Sequence, residues 1–164
     1  MPQRYYFYMT SFLISSDIYR NTHYGGKHPL NIPRVGATLD LIKAMSWYDE
    51  AKFITAPIAK PSLLKKFHSN DYVNVLIEAD EKQEIDKNQS NKYNLGTPSN
   101  PIFKGMYKRP ATSVGGSVVA AEFAFLNGRA FNLGGGLHHG LVNKANGFCY
   151  LNDLVCSLLK DSEN

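Results

Sequence analysis

Three consecutive glycines, Gly134-Gly135-Gly136, run through Leu137 into two adjacent histidines, His138-His139, and on to Gly140. The apolar pair Ala130-Phe131 stands just before them. At this glycine density, backbone can approach other backbone or a substrate with no Cβ in the way. Imidazole is the side chain best suited to moving a proton near neutral pH. Taken alone, the histidine pair suits a solvated turn as well as a catalytic one. The residues beyond it narrow the choice, because Gly147-Phe148-Cys149-Tyr150 and Asn152-Asp153 come soon after.

The spacing of apolar residues predicts an α/β fold. Ser11 to Ser15, Lys52 to Thr55 and Ala130 to Leu133 read as short strands. Pro33 stands at the entry of a helix over Arg34 to Met45 with Val35, Leu39, Ile42 and Met45 on one face. Pro61 to Phe67 and Asp71 to Ala79 read as helical, the latter with Tyr72, Val75, Leu76 and Ala79 on one side. The longest helical pattern runs from Phe103 to Leu126, with a stripe of Val114, Val118, Ala121 and Phe125. Gly115-Gly116 permits close packing there, and Gly128 ends the helix. Asn152 caps a last helix over Asp153 to Leu159. Asp17 to Pro33 reads as loop, and the polar Asp80 to Asn94 as a solvated connection. Strands alternating with helices imply a parallel sheet, and ligands gather at the carboxyl ends of such strands, where the histidine pair falls.

Composition excludes several classes. With 164 residues, 43% of them hydrophobic, one domain is expected. The net charge of +4 comes from scattered residues, with Lys65-Lys66 and Lys108-Arg109 as the only adjacent basic pairs, so no nucleic-acid partner is expected. Met1 to Phe12 is apolar but interrupted by Arg4 and Ser11, and too short to span a bilayer. Cys149 and Cys156 are too few to staple a secreted fold, which points to a reducing cytoplasm. Residues 1–10 read as an extension or a lead-in to the first strand.

The ordered set of motifs resembles the zinc-dependent deacetylase superfamily of histone deacetylases, acetoin-utilisation proteins and acetylpolyamine amidohydrolases. Asn132 to Gly140 matches its histidine-pair motif, and Gly147 to Asp153 the segment after it. His28-Pro29-Leu30-Asn31-Ile32-Pro33-Arg34 is similar to the family's early HP…P.R segment. Leu64 to Val73 resembles its FHs.eYv stretch, and Asn94 to Met106 the loop before the long helix in the acetoin-utilisation branch. The resemblance implies a partial arginase/deacetylase-like three-layer fold, a parallel sheet flanked by helices. Residues 11–164 then form the N-terminal part of the family domain, without its C-terminal part.

By the same resemblance, His139 is the general base and His138 its electrostatic and hydrogen-bonding companion. Phe148 is a wall of the acyl-lysine channel, and Gly147 leaves backbone open to substrate beside it. Arg34 matches an arginine at the floor of the family's site, linked with acetate exit; solvation at a helix start explains it equally well. Ser99 stands where the family has an aspartate gripping the substrate backbone, and a hydroxyl lacks that carboxylate's strength. In the complete domain a zinc ion polarises the amide carbonyl and activates water. Its Asp-x-His and second Asp ligands, and the catalytic Tyr, have no counterpart here, so this chain alone is expected to bind no zinc and to be inactive. His138, His139 and Cys149 show no zinc spacing, and His23, His28 and His68 are scattered. The expected activity is hydrolysis of acyl-amide bonds, of acetyl-lysine or acetylpolyamine type. The alternative is a non-catalytic half-domain, or a partner subunit completed by a C-terminal polypeptide.

Overall fold

A computed structural model describes residues 10–21, 24–25, 28–47 and 49–161. The lead-in expected over residues 1–10 lies outside these, apart from Thr10, as does His23. Three parallel strands form one sheet in the order β2-β1-β3: β1 over Thr10–Ser15, β2 over Phe53–Thr55 and β3 over Gly128–Asn132. Leu13 opposes Phe53 and Ile14 opposes Ile54 on one side of β1; on the other, the pairing runs from Thr10–Gly128 to Ile14–Asn132. Aromatic and β-branched side chains at these positions suit a pleated surface packed between layers. The parallel α/β arrangement is the one the motifs imply.

The helices are α1 (Ile18–Asn21), α2 (Arg34–Ala44), α3 (Pro61–Leu64), α4 (Asn70–Lys82), α5 (Lys87–Tyr93), α6 (Lys108–Asn127) and α7 (Asp153–Asp161). α6 packs on β1, β3 and α7. Its glycines are where contact is tightest: a Cβ on Gly115 would meet the Pro57 carbonyl oxygen at 1.9 Å. The core joins Tyr72, Val73 and Leu76 of α4 to Val114 of α6 and to Tyr150 and Leu151 ahead of α7. Each fully buried aliphatic side chain contributes about 1.5–3 kcal/mol. The buried tyrosines also bond: Tyr72 Oη donates to Tyr150 O and Tyr150 Oη to Pro101 O, each at 2.6 Å. These two bonds tie the segment after the histidine pair to α4 and to the loop before α6.

The structure corrects four sequence expectations. The Asp17 to Pro33 loop contains α1 and a 3-10 turn over Pro29–Asn31, the latter capped by the His28 ring accepting from Leu30 N–H at 3.1 Å. The Asp80 to Asn94 connection holds the end of α4 and all of α5. Asp86 caps α5 by accepting from Asn88 and Gln89 N–H, and Tyr93 and Leu95 anchor its far end in the core. α6 begins at Lys108 rather than Phe103, because the Asp80 carboxylate collects the Gly105, Tyr107 and Lys108 amides there. In its stripe Val114 and Val118 are buried, but Phe125 is 89% exposed. Phe123 packs on the sheet instead, its ring centroid 4.4 Å from that of Phe12. Among the described residues no helix is long and apolar enough to cross a membrane.

Candidate active site

β3 ends at Asn132, and the chain turns at once under the control of that side chain. Asn132 Oδ1 accepts from Gly134 N–H at 3.1 Å, while Nδ2 donates to Ser113 O and Ser117 Oγ, each at 3.0 Å. Gly134 lies flat on Tyr19, where a Cβ would fall 2.2 Å from the phenol. Asp153, the fully buried first residue of α7, then receives the Gly136 and Leu137 amides at 3.0 and 2.6 Å and the Ser117 hydroxyl. A helix N-terminus favours a carboxylate at this position. One buried anion therefore fixes the backbone that leads into the histidines.

His138 and His139 are exposed, with ring centroids 4.1 Å apart and planes at 45°. His138 Nδ1 lies 2.9 Å from Gly136 O. A carbonyl only accepts, so Nδ1 carries the proton and the neutral ring keeps its lone pair on Nε2. The His139 ring packs against Gly147, where a Cβ would lie 3.0 Å from the imidazole carbons. Gly147, at φ +51°, thus makes room for His139.

Asn152 fastens the loop from behind. Its Nδ2 donates to His138 O at 3.3 Å and Gly140 O at 3.0 Å, and its Oδ1 caps α7 by accepting from Val155 N–H at 3.1 Å. Gly140 has no room for a side chain, since a Cβ would stand 2.6 Å from the Leu151 carbonyl group. The buried His68 accepts Asn152 N–H on Nε2 at 3.0 Å and donates from Nδ1 to Leu141 O at 2.9 Å. Burial lowers its pKa from the ordinary value, so the ring stays neutral.

Phe148 takes the unusual φ of +69° and sets its ring edge-on to His28 at 4.8 Å. His28 stacks on Tyr24 at 4.7 Å and donates from Nε2 to Ser99 O at 3.3 Å. With Pro98 and Pro101 these residues line an open cleft of about 470 Å³, within the size range of small-ligand sites. Ser99 and Phe148 therefore share one cleft, joined by His28. Arg34 lies elsewhere: it donates to Pro29 O at 3.2 Å and lines a smaller cavity of about 190 Å³ with Tyr19, Tyr24, Arg109, Gly134 and Leu137. Tyr24 borders both spaces, and the glycine run forms part of the smaller one's wall.

Sequence reasoning finds the pair and its flanking residues but misses what holds them. Asn152 and Asp153 belong to a recognisable motif, yet in sequence they read only as a helix start. His28 and His68 stand in family-like runs that give them no role. Among the described residues no group of three or more His, Cys, Asp or Glu side chains is placed to hold a metal ion. The zinc implied by the family resemblance does not fit these residues by themselves.

Comparison with known proteins agrees with the geometry. The histone deacetylase domain matches residues 28–161. The acetoin utilization protein AcuC of Bacillus subtilis is 34% identical over 151 residues, covering 90% of this chain and 38% of that protein. Human histone deacetylase 1 is 34% identical over 146 residues, covering 85% of this chain and 30% of that protein. The crystal structure of a histone deacetylase homolog from Aquifex aeolicus superposes with a TM-score of 0.88 at 37% identity, over 94% of this chain and 41% of that one. The chain thus spans less than half the length of the relatives it matches. From the family match over residues 28–161 and the fold it shares, the chain belongs to the histone deacetylase family.

Proposed function

We propose that residues 11–164 are the N-terminal part of a zinc-dependent deacetylase domain, and that the chain supplies proton transfer and part of the substrate cleft for acyl-amide hydrolysis. The observation that carries this reading is the exposed histidine pair at the carboxyl end of β3, on a backbone fixed by the buried Asp153. An ordinary solvated turn has no need of a buried carboxylate, an asparagine clamp and a glycine shaped around one imidazole.

In this mechanism His139 takes the proton of the attacking water and later delivers it to the leaving amine. His138, with its Nδ1 proton directed to Gly136 O, faces the same reaction through Nε2. Phe148, Tyr24 and His28 give the cleft aromatic walls suited to an alkyl stem, and Ser99 offers a hydroxyl at its rim. Arg34 and Arg109 lend positive charge to the inner cavity, where a carboxylate product is favoured. No described residue is placed to polarise the amide carbonyl in the way a metal does; the zinc ligands belong to the C-terminal part of the complete domain, which a complementing polypeptide can supply.

The far edge of β3 supports that placement, as a surface where further strands of the domain add. β3 bonds to β1 on one edge, and among the described residues no strand pairs with the other. Phe131 and Leu154, 62% and 49% exposed, line one open cavity beside it. An open strand edge with apolar neighbours is a surface for strand addition. The two buried free cysteines suit a reducing cytoplasm.

The test is complementation. The chain is combined with the C-terminal part of an AcuC-type domain and assayed on acetyl-lysine peptides and acetylpolyamines. Activity that is lost in His139→Ala supports the reading. Absence of activity in a properly assembled pair, or equal activity in His139→Ala, overturns it.

A further inference from the structure

Outside the cleft, one buried titratable group bonds both ends of the segment that follows the histidine pair. We infer that His68 is a positioning residue for the histidine pair, locking the loop that follows it onto the first turn of α7. This inference rests on the reading of His138 and His139 as the proton-transfer groups.

The geometry is specific to a neutral ring of one tautomer. Asn152 N–H is a donor, so Nε2 must present a lone pair; Leu141 O is an acceptor, so Nδ1 must carry the proton. The two partners are the residues that bracket the site. Leu141 directly follows Gly140, and Asn152 is the residue whose side chain clamps the carbonyls of His138 and Gly140. Fixing the Asn152 backbone therefore fixes the side chain that holds His138. The neighbouring residue extends the lock, since Ser69 N–H donates to Val142 O at 2.8 Å and the Ser69 hydroxyl caps α4. Phe67 and Tyr72 crowd the ring at centroid distances of 4.8 and 5.8 Å, which holds its plane. Through His68 the N-terminus of α4 holds both ends of the segment from Leu141 to Asn152 that follows the pair. A hydrophobic residue of the same size would fill the space but bond neither partner, leaving Asn152 N–H and Leu141 O unpaired in a dry site.

Nuclear magnetic resonance on the full chain, with labelled histidines, tests this directly. In the wild type the His68 nitrogens should report Nδ1 protonated and Nε2 bare. In His68→Ala the Asn152 amide should exchange about tenfold faster, as expected for one lost buried hydrogen bond. The ring resonances of His138 and His139 should move with it. His68→Gln places an amide oxygen near the position of Nε2, and should restore Asn152 protection and return those resonances toward the wild type. Unchanged His138 and His139 resonances in a His68→Ala chain that keeps its Phe12–Phe123 contact would overturn the inference. If that variant fails to fold, the wild-type tautomer and His68→Gln decide: an Nε2-protonated ring, or an unprotected Asn152 amide, overturns it. Activity of the complemented domain is read separately. Correct His68 signatures without activity would refute the proposed function and leave the positioning role standing.

Discussion

Replacing Asp153 by alanine should loosen the site and destabilise the chain together, because one carboxylate serves both. It accepts two backbone amides of the run before the histidines, at 3.0 and 2.6 Å, as well as the Ser117 hydroxyl. Ser117 keeps a partner without it, since Asn132 Nδ2 already bonds its oxygen. The two amides do not. Hydrogen bonds to a charged acceptor contribute about 1.5–3 kcal/mol each. Gly136 is exposed and can turn to water, whereas Leu137 is half-buried, so the second loss is the fuller one. Asp153→Ala should therefore cost about 2–4 kcal/mol, a large part of a typical domain's stability.

Asp153→Asn is the informative control. It retains one acceptor oxygen but turns an NH₂ group toward donors, so its loss should fall between wild type and alanine. Urea unfolding gives the stability, and amide exchange at Leu137 reports the loop locally. A loss under about 0.5 kcal/mol, with Leu137 exchange unchanged, would show that the carboxylate does not hold the loop.

Stability should also fall in mild acid. Burial holds His68 below its ordinary value of 6.5, so between the two pKa values the unfolded chain binds more protons than the folded one. Its contribution is complete above about pH 6.5 and declines as pH drops toward the depressed folded value; urea midpoints across this range should show a limb that flattens in His68→Gln. Burial pushes the Cys156 thiol up to about 12 and also raises Cys149. Iodoacetamide should thus label neither thiol promptly in the folded chain and both in urea, and rapid labelling under native conditions would contradict their burial. Beside the open edge of β3, exposed Phe131 and Leu154 should make sedimentation of the isolated chain concentration-dependent, and Leu154→Lys should reduce the effect. A monodisperse wild-type monomer would argue against that edge as a docking surface.

The parts of the fold that were legible in the sequence are those that local pattern dictates. The α4 stripe of Tyr72, Val75, Leu76 and Ala79 repeats at helical spacing, and all four are buried. Gly128 ends α6 at φ +94° and Asn152 caps α7, as their residue types direct. What escaped depends on contacts between distant segments. α5 has no apolar periodicity of its own; it is held by the Asp86 cap and by Tyr93 and Asn94, whose backbone and side chain pair with Ala145. Phe125 fits the α6 stripe as well as Val118 does, but it is 89% exposed, while Phe123 of the same turn packs on Phe12. In the site, the histidine pair announced itself through its glycines. Its supports did not, since Asp153 lies 17 residues from Gly136 and His68 lies 84 from Asn152, separations across which no sequence pattern shows a hydrogen bond.

If these residues carry the proton-transfer half of a deacetylase site, the metal ligands belong to the C-terminal part of the complete domain. Zinc analysis after dialysis against a weak chelator tests that division most directly, on the chain alone and on its complex with a complementing C-terminal part. No stoichiometric zinc is expected on residues 1–164 alone, and one zinc is expected in the complex. One tightly held zinc per isolated chain would contradict it.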